Sequence, residues 1–198
     1  MCHVIRLYLG KWYEAERYFA VFEFGGKCVT ANYSLSENGS IKLMNKQISS
    51  LTGVSSSIEG VARLIGRSDD PKLSVTFPSL PLPLDAPYWI LDTDYKSYAV
   101  VWSCTNFGVF SVRNAWILTR ETKPPVSVLE KAYQAIDKNN ISRAYFIRTD
   151  QKNCPATKIN NRNIYVIVIY LYKTEYLNHY LLSICDLTPL RISQIYYF

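Results

Sequence analysis

The chain has 198 residues, 48% of them hydrophobic and 19% charged, which is enough apolar material for one domain with its own core and too much for a disordered segment. Its net charge of +6 is scattered, with no run of Lys or Arg to lie along a nucleic acid, so a nucleic-acid partner is not expected. Five cysteines and two histidines include no C-x-x-C pair and no close grouping, which argues against a metal site.

The first ten residues lack the apolar stretch of a signal peptide. Residues 1–9 read as a short segment ahead of the domain. From 10 to 120 the chain reads as short strands broken by turns, the pattern of a sandwich or barrel. Within 28–35, Val29, Ala31, Tyr33 and Leu35 share one face, and Cys28, Thr30, Asn32 and Ser34 the other. Asn38-Gly39 signals a hairpin. The next strand puts Ile41, Leu43 and Asn45 on one face with Lys42 and Lys46 opposite. Ile58, Gly60, Ala62 and Leu64 alternate with Glu59 and Arg63, and Leu73, Val75 and Phe77 with Lys72, Ser74 and Thr76. This period of two sets one face against an apolar interior and the other against water.

Four prolines between Pro78 and Pro87 make a loop. Tyr88–Asp94 and Tyr98–Cys104 then read as a hairpin, and Phe110–Arg120 as one more strand. Seven or eight antiparallel strands with short turns would close on themselves and leave no edge. Pro124-Pro125 ends the run. Ser127 and Glu130 have the spacing of a capping box, and Val126, Leu129, Tyr133 and Ile136 recur at helical spacing, so an amphipathic helix is expected over 126–138. Ala144–Thr149 reads as a last short strand. Residues 156–198 change character and read as an atypical tail outside the domain; the uncharged stretch Ile164–Tyr172 is nine residues, too short to cross a membrane as a helix.

Three short motifs stand out: Gly10-Lys11-Trp12-Tyr13-Glu14, then Thr93-Asp94-Tyr95, then Ala115–Arg120. In this order and at these gaps they resemble the three conserved regions of the lipocalins. Tyr8–Glu14, Cys28–Leu35, Ala86–Leu91, Tyr98–Cys104, Ala115–Leu118 with Arg120, and Thr149–Cys154 are similar to the branch that holds apolipoprotein D, Lazarillo and the insect bilin-binding proteins. The resemblance covers about 8–155 and implies an all-β domain over 10–155. That domain would be an eight-stranded antiparallel up-and-down barrel forming a calyx, with one C-terminal helix packed outside. It implies a secreted carrier of one small hydrophobic ligand, drawn from fatty acids such as arachidonate, sterols, retinoids or bilins, with roles in lipid transport and in limiting oxidative damage. No catalysis and no cofactor beyond such a ligand are expected. The N-terminus would then be cut short, and Asn32, Asn38 and Asn140, each in an N-x-S sequon, would be glycosylation sites.

The resemblance also pairs Cys28 with Cys154. It matches Cys104 to a second disulfide whose partner would be Cys2, but Cys2 lies much nearer Gly10 than in the family, which leaves that pairing open; Cys185 is unassigned. Trp12 and Arg120, at the start of the first strand and the end of the last large one, would meet at the closed base, the guanidinium stacking on the indole. Gly10, Thr93, Asp94 and Tyr95 belong to the same end, Asp94 satisfying backbone N–H groups of a turn. Asn45 falls on the inward face, where an unsatisfied amide costs about 1–3 kcal/mol and a ligand oxygen is a natural partner. Trp116 shares the parity of Phe110, Val112 and Leu118, and Tyr33 is a further inward candidate. Asn45 and Trp116 match family positions that touch ligand. Rival readings are an insect-type biliverdin carrier, an isomerase using a pocket thiol, and a cell-surface interaction protein.

Overall fold

The computed structural model describes residues 3–19, 25–66, 72–80, 85–107 and 110–155; Cys2, Cys185 and the 156–198 tail lie outside them. Eight strands follow in order: β1 (Gly10–Tyr18), β2 (Gly26–Leu35), β3 (Ile41–Ser49), β4 (Ser55–Leu64), β5 (Lys72–Thr76), β6 (Ala86–Thr93), β7 (Tyr98–Asn106) and β8 (Ser111–Thr119). Each is antiparallel to the next, and β1 pairs with both β2 and β8, so the expected barrel closes. A short helix α1 (His3–Tyr8) precedes it, and helix α2 (Val126–Lys138) follows on the outside. After a 3-10 turn at Arg143–Tyr145, a short strand β9 (Phe146–Arg148) adds to β1. Among the described residues, no helix is long and apolar enough to cross a membrane.

The alternation read from the sequence holds through the middle of the strands. Leu43, Ala62, Leu73, Val75, Ala99, Val101 and Leu118 are buried in one inner cluster. Strand β7 is buried on both faces from Tyr98 to Cys104, because α2 covers its outer face. Ala132, Ala135 and Ile136 of α2 pack in the same outer cluster as Val100, Trp102, Ala115 and Ile117. Two alanines at the contact let the helix axis come close, and burying Ile136 stabilises by about 1.5–3 kcal/mol. A hydrogen bond of 2.6 Å from the Tyr133 hydroxyl to Glu16 ties α2 to β1.

The alternation fails at strand ends. Leu35, Leu64, Phe110 and Val112 share the inward parity but are exposed, because they run past the height at which an opposite wall can cover them. The helix covers 126–138 as expected, but it is not capped as its sequence signal suggests. Pro125 is the N-cap, no side chain caps the helix, and Ser127 lies inside the first turn, so the Ser127–Glu130 capping box does not form. Pro125 holds the extended φ of −56° and ψ of 150°, and its carbonyl accepts from the Val128 N–H at 3.0 Å. Val126 is thereby left outside the apolar stripe, exposed to solvent.

The base is shut by Arg120. Its guanidinium lies 3.6 Å from the centre of the Trp12 ring. Its N–H groups reach the carbonyls of Lys11 (2.8 Å), Leu9 (3.0 Å), Leu7 (3.2 Å) and Tyr95 (3.1 Å from Nη2, 3.2 Å from Nε). One cation therefore joins α1, β1 and the β6–β7 turn. Trp12 is fully buried and donates its indole N–H to the Tyr8 carbonyl at 2.8 Å. Gly10 has a φ of +94°, and a Cβ there would sit 3.4 Å from Nη1 of Arg120, so a side chain would be strained.

Within the β6–β7 turn, Asp94 Oδ1 accepts from the N–H of Ser97 (2.7 Å), Lys96 (3.0 Å) and Tyr98 (3.1 Å), and Oδ2 accepts from the Ser97 hydroxyl. Thr93 Oγ1 donates to the Tyr98 carbonyl at 2.6 Å and accepts from the N–H of Tyr95, whose φ is +64°. Partial burial pushes the Asp94 carboxyl up, but its hydrogen bonds from Ser97, Tyr98 and Lys96 outweigh that and hold it below the ordinary 3.8.

Two outcomes are expected. Arg120→Met should lower stability by about 2–4 kcal/mol, since a charged donor leaves several carbonyls unpaired; urea denaturation measures it. A carboxyl depressed in the folded state contributes stability above its unfolded value of 3.8 and loses it as pH falls through the folded value. Asp94→Asn should therefore be less stable than the parent at pH 6, and the gap should narrow as pH falls from about 4 downward.

Candidate ligand-binding calyx

Above the sealed base the interior changes character. Near the base it is filled by Ile5, Trp12, Ile41, Leu43, Leu73 and their neighbours, all buried. Further toward the open end Ala31, Asn45, Ile58, Tyr88 and Trp116 lie on the inner face yet are only half-buried. Residues on the inner face of a closed barrel stay partly exposed where the opposite wall does not cover them, which makes these five the candidates to line a cup.

Asn45 sits mid-way along β3, opposite Ala31 on β2 and Ile58 on β4, both apolar. Its Oδ1 is buried and meets no hydrogen-bond partner among the described residues. Trp116 on β8 stacks against Tyr88 on β6, with ring centres 6.4 Å apart and planes 24° from parallel. Tyr33 is placed differently from a wall residue. It is 3% exposed, and its hydroxyl lies 2.6 Å from that of Tyr88. The Tyr88 hydroxyl also meets that of Tyr8 at 2.9 Å.

A second polar group faces inward on β1. A bulge between Glu14 and Glu16 shifts the register, so Glu14 stands opposite Leu118 and Arg17 opposite Trp116, both inner-face residues of β8. Arg17 Nη1 donates to Glu14 Oε1 at 2.6 Å and to Thr149 Oγ1 at 3.0 Å, and the Thr149 hydroxyl donates to the same carboxylate oxygen. Burial raises the Glu14 carboxyl, and Arg17 and Thr149 pull it partly back. Removing one member of such a buried pair typically costs about 3–5 kcal/mol, because the other is left uncompensated.

Thr149 reaches this pair because β1 changes partner along its length. Gly10–Tyr13 pairs with β2, while Glu16–Tyr18 pairs with β9. Where the two sides part, the Gln151 amide donates to the Glu14 carbonyl (2.9 Å) and the Val29 carbonyl (2.8 Å), joining β1 to β2 through a side chain. The Cys28 N–H donates to the Asp150 carbonyl at 2.8 Å. The disulfide expected between Cys28 and Cys154 is present and closes a span of 126 residues over this seam. Cys28 has a φ of +56° within the irregular stretch of β2 between Lys27 and Thr30. Cys104 is also disulfide-bonded; the pairing expected with Cys2 lies outside the described residues.

Of the sequon residues, Asn32, Asn38 and Asn140 are all exposed. Sequence reading missed Tyr8, Tyr88, Glu14, Arg17, Thr149 and Gln151. For Arg17 strand parity misleads, because it sits three residues from Glu14 and only the bulge turns both inward. Tyr88 stands on the same inner face as Ile90, but its hydroxyl partners come from β2 and α1, distant in sequence.

Comparisons with known proteins fit this geometry. The profile of the lipocalin / cytosolic fatty-acid binding protein family matches residues 9–153. Rat (Rattus norvegicus) apolipoprotein D is 44% identical over 152 residues, 76% of this chain and 78% of that protein. The Lazarillo protein of Schistocerca americana is 35% identical over 149 residues, 73% of this chain and 68% of that protein. Insecticyanin of Manduca sexta has the same fold, with a TM-score of 0.68, 23% identity, and coverage of 75% of this chain and 81% of its own.

Replacing Cys28 and Cys154 together by Ser should lower stability by about 2–5 kcal/mol. Urea denaturation measures it without reductant, and a reductant should destabilise the parent by more than the double variant, since in the variant only the Cys104 bridge is left to open.

Proposed function

The chain belongs to the lipocalin family, carriers of small hydrophobic ligands rather than enzymes; from that premise we propose that it takes one such molecule into the half-filled cup, apolar surface providing most of the affinity and Asn45 and Trp116 setting the orientation. The observation that carries the assignment of residues is Asn45 Oδ1, a buried acceptor without a donor between two apolar neighbours. A buried acceptor left unpaired costs about 1–3 kcal/mol, and a ligand O–H or N–H removes that cost. Trp116 adds a large flat surface beside it.

The ligand class is a fatty acid such as arachidonate, a sterol, a retinoid or a bilin. The disulfide at the seam suits an oxidising extracellular setting, and the resemblance to the apolipoprotein D branch implies roles in lipid transport and in protection against reactive oxygen.

The test is a titration of Trp fluorescence in the full chain, made through an oxidising secretory route, with arachidonic acid and with biliverdin. Saturable quenching by one ligand per chain is expected. Asn45→Leu should weaken binding about tenfold while raising the stability of the unliganded protein by about 1 kcal/mol or more, because it removes the unpaired acceptor. Trp116→Ala should weaken binding further. Unchanged affinity in both folded variants would move the site elsewhere. Tighter binding of biliverdin than of arachidonate would favour the pigment carrier over the lipid carrier.

A further inference from the structure

Strands β2 and β6 lie four places apart in a ring of eight, on opposite walls of the barrel. The hydroxyls of Tyr33 and Tyr88 nevertheless meet at 2.6 Å. The two side chains therefore span the barrel as a crossbar, and Tyr8 of α1 joins it from the base at 2.9 Å. Tyr8 and Tyr33 are sealed at 2% and 3% exposure, while Tyr88 keeps part of its surface and carries Trp116 stacked beside it. The crossbar thus lies between the packed core at the base and the half-buried inner-face residues above it, where it can serve as the floor of the cup.

Resting on the carrier reading above, we propose that this tyrosine floor is a second polar contact for the ligand, taking an acceptor oxygen (ketone, ester or carboxyl) on the end that enters first. In each hydroxyl–hydroxyl contact either oxygen can donate, so reversing one contact frees a proton on Tyr88 for an incoming oxygen. Burial pushes all three phenols above their ordinary value, so all three remain donors throughout the physiological range. The Arg120 guanidinium lies beneath, close to Tyr8, and biases the floor toward the negative end of a ligand dipole. Asn45, higher on the wall, engages a different part of the same molecule.

Two probes separate the floor from the rest of the cup. Androstane-3,17-dione carries a ketone at each end, so an oxygen reaches the floor whichever end enters; androstane has the same skeleton without oxygen. Both are titrated against the full chain by Trp quenching, in the parent, in Tyr88→Phe and in Tyr33→Phe. Each variant keeps its ring and loses one hydroxyl, and near-ultraviolet circular dichroism verifies the fold. The dione should bind about three- to tenfold more weakly to Tyr88→Phe, and androstane no more weakly than to the parent. A dione affinity unchanged in both variants, or an equal loss for both probes, overturns the floor contact. If that happens while Asn45→Leu and Trp116→Ala still weaken the dione, the carrier reading stands without it. If the parent binds neither probe, nor arachidonate or biliverdin, the carrier reading fails and the floor contact fails with it.

Discussion

The base of this barrel is held by a single cation. Arg120 stacks on Trp12 and spreads its donors over carbonyls of Leu7, Leu9, Lys11 and Tyr95. Those carbonyls belong to α1, to the first strand and to the β6–β7 turn, so one guanidinium fixes three segments that are remote in sequence. A lysine would carry the same charge but not the fork of donors, and its ammonium would not lie flat on an indole. With the base closed, the interior beside it is filled by packed side chains, and the half-buried inner-face residues among those described lie further toward the other end.

Closure of the wall is less uniform than closure of the base. Strand β1 shares its backbone hydrogen bonds between β2 and β9, and the junction is held by Gln151, the Cys28–Cys154 bridge and the Glu14–Arg17–Thr149 cluster. The segment after α2 is therefore part of the barrel wall, although it follows the eight strands in sequence and packs over them.

The fold was legible because a period of two survives along most strands and the closing motifs have fixed residue types. Asn45 and Trp116 stand on the inner face that their parity gave. Parity said less where the backbone departs from regularity. The bulge in β1 turns Arg17 inward, and the irregular stretch of β2 sets Cys28 beside the Asp150 carbonyl. Leu35, Leu64, Phe110 and Val112 have the right parity at the wrong height, since alternation reports which face a residue takes and not whether anything stands opposite. The Ser127–Glu130 spacing misled because Pro125 is already the N-cap, two residues ahead of Ser127. The hydroxyl contacts of Tyr8, Tyr33 and Tyr88 join two opposite walls and a helix, and nothing local in sequence marks such a meeting.

The crossbar of Tyr33 and Tyr88 divides the barrel into two storeys with separate duties. Below it, side chains are buried against one another; above it, Ala31, Asn45, Ile58 and Trp116 on the inner face are only half-buried. The buried Glu14–Arg17–Thr149 cluster belongs to the holding part although it stands level with Trp116, whereas Ala31, Ile58 and Trp116 carry less of the packing. A barrel so partitioned can change its cargo over evolutionary time, or in the hands of an engineer, while its architecture stays fixed.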